Sequence, residues 1–395
     1  MPKTFSCVCA LVLLAPLLCP ADSIGLTSLT SDASNGDFNA YLATHSYDGT
    51  SFFLNTDTGS MIAGEYNSSY GSIFGYQLPG ITPTTVATAN GTVNVFNFSS
   101  FSLPQGDSLT LYGNSPAAIL ANGTVTIAGD LEVWSNAGAA GTGGGSGFGY
   151  QPPATGGGGS GGGGAGGYGT GYRGANDYGT AGSGGGGGMF TAGGDGTSGN
   201  VGAGGAGGAS VNLSILQGGG GGGGGGGCGA YCSDGGRNGG QGGGAVFFGT
   251  TGDFMVTSTG TIAANGWGGQ SDVYTASGAG GGGAGGDLWF GVTGTWANYG
   301  IVTAVGAAGG YIGGTYPSLA GSGAGGYVNI DPASIINDGT IDVANGLGGD
   351  GGLVTFDGPL SGTGSVEGDV APEPGTVLLA LIGITGLLLA RWRRA

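Results

Sequence analysis

Few side chains in this sequence could do chemistry. They are a carboxylate pair, Asp130 and Glu132, the single histidine His45, two isolated arginines, Arg173 and Arg237, and two cysteines, Cys228 and Cys232. The acids stand two apart in Asp130-Leu131-Glu132-Val133-Trp134, whose polar–apolar alternation predicts a half-buried strand with both carboxylates on one face. Glycoside hydrolysis uses two carboxyl groups, but their separation in space decides the reaction, and spacing along the chain does not give it. Lyase chemistry on a uronate needs a base. Arg173 and Arg237 are the cationic candidates, and both lie in glycine-dominated stretches, whereas a preorganised site wants rigid elements. His45 reads as a surface histidine. Cys228 and Cys232, separated by Gly-Ala-Tyr, read as a local disulfide staple, with free thiols or a redox or metal pair as the other readings. A loop that short contributes only about 2 kcal/mol through chain entropy. No third or fourth ligand stands near enough for a convincing zinc site.

Composition points the same way. Of 395 residues 105 are glycine, Lys3 is the only lysine, and six basic residues face 23 acidic ones. Counterion-release binding to nucleic acid needs many Lys or Arg, so that partner is excluded. Collagen is excluded because glycine comes in runs rather than at every third place. All the acids except Asp22 and Glu373 lie between Ser23 and Pro372, where Arg173 and Arg237 are the only bases, for a net charge near −19. This reads as a solvated surface kept soluble by self-repulsion. Calcium-mediated association with acidic polysaccharide is the sharper reading, because carboxylates are hard-cation ligands. Gly348-Gly349-Asp350-Gly351-Gly352-Leu353 comes nearest to a calcium-binding glycine–aspartate repeat, but leucine stands where aspartate belongs. No metal or cofactor is therefore expected. Asn67, Asn90, Asn97 and Asn122 begin Asn-X-Ser/Thr triplets, which chance produces in a chain this rich in Asn, Ser and Thr.

The two ends address the protein. Residues 1–21 read as a secretory signal peptide: Lys3, the apolar stretch Phe5–Leu18, then Cys19-Pro20-Ala21 at the cleavage site. A lipoprotein signal at Cys19 competes, but Leu18 is bulky for it. Cys7, Cys9 and Cys19 leave with the leader. At the other end, Gly375–Ala390 carries no charge and Arg391-Trp392-Arg393-Arg394-Ala395 closes the chain. Sixteen residues at about 1.5 Å each give roughly 24 Å, and snorkelling Arg391 and Trp392 extend the span to 375–392. The arginines favour a cytoplasmic tail, with the body on the far side of the inner membrane.

Pro372-Glu373-Pro374, the apolar run and the terminal arginines Arg391, Arg393 and Arg394 together resemble the PEP-CTERM sorting signal of Gram-negative bacteria. The resemblance implies a tail handled by an exosortase-type processing protease, and a body that accompanies exopolysaccharide at the cell surface or in the extracellular matrix of a biofilm. It covers about 25 residues and implies no activity for the rest.

The elements that must position any site follow a repeat. Gly285-Gly286-Asp287-Leu288-Trp289-Phe290 returns forty residues on as Gly325-Gly326-Tyr327-Val328-Asn329-Ile330, and Gly266, Gly306 and Gly346 step likewise. Each unit has two short runs rich in Val, Ile, Thr and aromatics, divided by glycine. Strands that short bury a face only when copies stack. The expected fold is all-β: a right-handed parallel β-helix, or solenoid, with long glycine-rich loops, plus an N-terminal signal helix and a C-terminal transmembrane helix. A propeller blade would need four strands per unit. The expected organisation is a signal peptide at 1–21, a β-rich opening region at 22–120, glycine-rich repeats at 121–370 and the sorting signal at 371–395. Tracts such as Gly218–Gly227 are expected to be mobile loops in preference to packed polyproline-II segments, since glycine offers no side chain to pack. Trp267, Trp289 and Trp296 read first as core aromatics and second as a sugar-stacking strip. The resulting expectation is a non-enzymatic, exported structural or adhesion protein, with a polysaccharide-active β-helix enzyme as the alternative.

Overall fold

The computed structural model describes residues 29–45, 50–67, 72–88, 91–134, 156–157, 181–198, 203–210, 216–226, 236–271, 277–312, 318–346 and 351–371. The signal peptide, Arg173, Cys228, Cys232 and the tail from Pro372, with its expected transmembrane helix, lie outside them. Among the described residues no helix is long and apolar enough to cross a membrane.

The described chain is mostly strand, in sheets of nine and twelve strands and a two-stranded ribbon. Its one helix, Phe38–His45, escapes the sequence because eight residues show no 3.6-residue pattern. Asp37 starts it, its Oδ1 accepting from the N–H groups of Asn39 at 2.8 Å and Ala40 at 3.2 Å. The bond from Ala40 is foremost in holding the Asp37 carboxyl below its usual pKa.

The forty-residue step becomes parallel pairing in register. Asp287–Asn298 lies beside Tyr327–Asn337, with Leu288 against Val328 and Phe290 against Ile330. Three ladders run through the molecule. The first carries the inward column Ala117, Val246, Leu288, Val328, Val354 and Val370. The second carries Phe101, Val125, Phe254, Trp296, Ile335 and Leu360. The third carries Phe52, Leu109, Leu131, Ile262, Val302, Ile341 and Val366. All but the last member of each column are buried, most of them completely, in one apolar core. Aromatic rings extend the stacking: Phe248 lies on Phe290 at 5.6 Å and 10°, and Phe290 meets Trp296 edge-on.

Side-chain hydrogen bonds lock the register where the chain turns from ladder to ladder. Asn298 Nδ2 donates to Asn337 Oδ1 at 2.9 Å, and its own Oδ1 accepts from Gly300 N–H at 3.1 Å, all buried. Thr293 Oγ1 donates to the Thr251 carbonyl at 2.6 Å, one repeat back. Trp296 Nε1 is buried with no hydrogen-bond partner, its ring serving the aromatic stack instead.

The glycine tracts correct the expectation of mobile loops. In tract 277–286 the N–H groups of Gly278, Gly281 and Ala284 donate to carbonyls of Gly226, Gly223 and Gly220. Those of Gly280, Gly283 and Gly286 donate to Gln270, Trp267 and Ala264, and those of Gly282 and Gly285 to Gly321 and Ala324. Its carbonyls in turn accept from tracts 236–244, 181–188 and 304–310, again every third residue. Three residues per turn is the polyproline-II period, a conformation that makes no hydrogen bonds within its own segment. Six neighbouring segments surround this one, some parallel and some antiparallel. Residues 181–189, 216–226 and 277–286 are buried throughout. The physical reason is backbone proximity. A Cβ added to Gly281 would collide with the Gly185 carbonyl oxygen, and one on Gly282 with that of Ala307. Lacking side chains is what lets these backbones satisfy each other's donors and acceptors.

Candidate functional site

The strand Asp130–Val133 forms as its alternation implies. Leu131 and Val133 are buried, and Asp130 and Glu132 are exposed on the same outer face. Glu132 Oε2 accepts from Trp134 Nε1 at 2.8 Å, which joins the carboxylate to the indole that follows the strand. His45 ends the helix Phe38–His45, far along the chain from this strand. Arg237 lies partly buried in tract 236–244, where its backbone joins the glycine array. Cys228, Cys232, Arg173 and the tail residues Pro372, Glu373, Pro374, Arg391, Arg393 and Arg394 fall outside the described residues. Among the described residues no three His, Cys, Asp or Glu side chains cluster as a metal-binding group. Asn97 is buried within its strand, which closes that triplet to modification.

The three tryptophans separate. Trp289 and Trp296 are buried in the ladders, so they do not belong to a surface strip. Trp267 is 39% exposed, and it has company that the sequence does not reveal. Trp134 packs edge-to-face against it at 5.9 Å, Tyr66 against Trp134 at 4.7 Å, and Phe53 against Trp134 at 5.7 Å. These partners come from a hairpin, the end of a strand and a glycine tract. The backbone N–H of Trp267 donates to the Gln241 carbonyl at 2.7 Å, fixing the tract that carries the ring. The exposed side chains of Glu132 and Gln270 lie on the same outer strand and tract. Aromatic faces beside carboxylate and amide groups suit a sugar ring, which presents C–H on its faces and hydroxyls around its edge.

A groove of about 350 Å³ lies on another side of the molecule. It opens where Gly249, Gly291 and Asp331 stand in register, two of the three without side chains. Phe247 forms part of its wall, and Thr251 and Thr293 line its edge. Beside it the first ladder holds a second apolar cluster that includes Trp289, Tyr327 and Leu216.

Among the described residues, Asp287 is the most perturbed acid. It is completely buried, and burial pushes its pKa well above the usual carboxylate range, opposed by hydrogen bonds from Gln217 N–H and Trp289 Nε1. Its partners are structural, tying tract 216–226 to the ladder. Comparison with known proteins adds no name to these features: no family model, curated protein or solved structure matches the chain.

Proposed function

We propose that the chain is an exported, non-enzymatic structural and adhesive protein of the cell surface or extracellular matrix. Its body is read as a right-handed parallel β-helix whose glycine tracts fold out as a hydrogen-bonded polyproline-II array. Its tail is read as a PEP-CTERM-like sorting signal, anchored in the inner membrane until an exosortase-type protease processes it. Exopolysaccharide is the partner, met at the Tyr66–Trp134–Trp267 flank.

The observation that carries this reading is the use of the chain's length. Ladders in register, with steps near forty residues between Ala245 and Asp342, and a buried glycine array commit much of the described chain to stacking. Such a body offers an extended, regular surface, as solenoids do. The test is to incubate the purified exported protein with bacterial exopolysaccharides. Retention on the polymer without cleavage supports the proposal, with retention expected to weaken at least tenfold in Trp267→Ala. New reducing ends or unsaturated-uronate absorbance would establish a polysaccharide-active enzyme in its place.

A further inference from the structure

The two ends of the ladders are built differently. At the N-terminal end the first inward residues, Phe52, Phe96 and Phe101, are fully buried. Phe38 of the helix stacks on Phe101 at 4.4 Å and meets Phe98 edge-on at 5.2 Å. The strand edges there continue into antiparallel pairs, Met61–Asn67 with Ser72–Leu78 and Thr84–Thr88 with Gly91–Phe98. That end is capped.

At the C-terminal end the three core columns stop in the open. Val370 continues a column whose previous member, Val354, is fully buried, yet Val370 is 50% exposed. Leu360 follows the buried Ile335 and is also 50% exposed. Val366 follows the buried Ile341 and is only partly covered. The strands Ser365–Glu367 and Asp369–Ala371 are the last of their sheets among the described residues, with one side of each unpaired. Inward-facing side chains at a bare stack end behave as core without a lid, and repeat proteins need a cap there to stay soluble.

The chain itself supplies a cover. Pro372-Glu373-Pro374 follows the last strand, and the sixteen uncharged residues Gly375–Ala390 begin directly after it. A three-residue link reaches about 10 Å, which holds the apolar run at an effective concentration on the order of millimolar beside the bare columns. The charges agree. Glu367 and Asp369 are exposed on the terminal strands, and Arg391, Arg393 and Arg394 close the tail. A second copy of the same end would set Glu367 and Asp369 against their own equivalents. We infer that, until it meets a bilayer, segment 372–395 seats on the open end of its own body, Gly375–Ala390 covering Leu360, Val366 and Val370. Two apolar surfaces that each need hiding then hide one another, and insertion or removal of the tail exposes the end.

This inference does not depend on processing or sugar binding. The full chain is made by cell-free translation without membranes, with a photoreactive benzophenone amino acid replacing Leu360, and in a second preparation Val370. Irradiation and peptide mass spectrometry are expected to place the cross-links within 375–390 of the same chain, as a monomer on a denaturing gel. The same probe at Tyr76, 84% exposed at the opposite end, should give at least fivefold less. Cross-links to 353–371 of a second chain or to the leader, equal yields from positions 360 and 76, or none at either 360 or 370 would overturn it. A failure of the sorting proposal would appear separately, as unprocessed, tail-bearing chain missing from membrane fractions while these cross-links persist.

Discussion

Single residues carry opposite weights depending on which neighbour they face. Gly282 and Gly268 both lie in glycine tracts, but a methyl on Gly282 runs into the Ala307 carbonyl, whereas the nearest atom to one on Gly268 is 3.7 Å away. Gly282→Ala should therefore cost about 1–3 kcal/mol, and Gly268→Ala should be neutral or stabilise by about 0.4–1 kcal/mol, read from denaturant melts. Equal effects would mean that the tracts are loosely packed. Asp287 gives a pH signature. An acid whose folded-state pKa is raised adds stability that is full below its unfolded pKa and is lost as pH rises through the folded value. Asp287→Asn keeps an acceptor for Trp289 Nε1 and cannot ionise. It cannot accept from Gln217 N–H as well, which sets a fixed offset, and above the ordinary carboxylate range its melting temperature relative to the parent's should rise with pH; a difference that does not change with pH would refute the assignment.

At the scale of elements, the asparagine pair tests what holds the register. Val256 occupies the position one repeat before Asn298, so a valine fits the column in shape. Asn298→Val leaves Gly300 N–H and Asn337 Oδ1 without their partner, at about 1–3 kcal/mol for each buried group. A melting temperature unchanged in the variant would show that the ladder needs only its apolar members. This scale was also the most legible in the sequence. The return of Asp287-Leu288-Trp289-Phe290 as Tyr327-Val328-Asn329-Ile330 became a strand pair at that register, because alternation and β-branched residues mark a half-buried strand wherever it pairs. The helix Phe38–His45 left only Asp37 as a cue. Trp267 was visible, but its ring partner Trp134, and Tyr66 packed on Trp134 in turn, stand over a hundred residues away and only folding joins them. The packed polyproline-II reading of the glycine tracts stands second to mobile loops in the sequence, because hydrophobic patterning is written in side chains and these tracts have none to write with.

For the molecule as a whole, the glycine tracts and the strands should answer to the same solvent test. The backbone N–H groups of residues 280–286 are all bonded to neighbouring segments and buried, so these amides should exchange with deuterium as slowly as those of strand Tyr327–Asn337. Exchange at unstructured rates, followed by mass spectrometry of peptides covering 277–286, would remove the array. The threefold period of that array also constrains how the gene can change. Replication slippage readily lengthens or shortens runs of glycine codons, and in a floppy linker each length would serve. Here one extra codon advances every following amide by a third of a turn, away from its acceptor, while three restore the phase after a full revolution. Length variants in multiples of three should keep the melting temperature near the parent's, and single-codon variants should not.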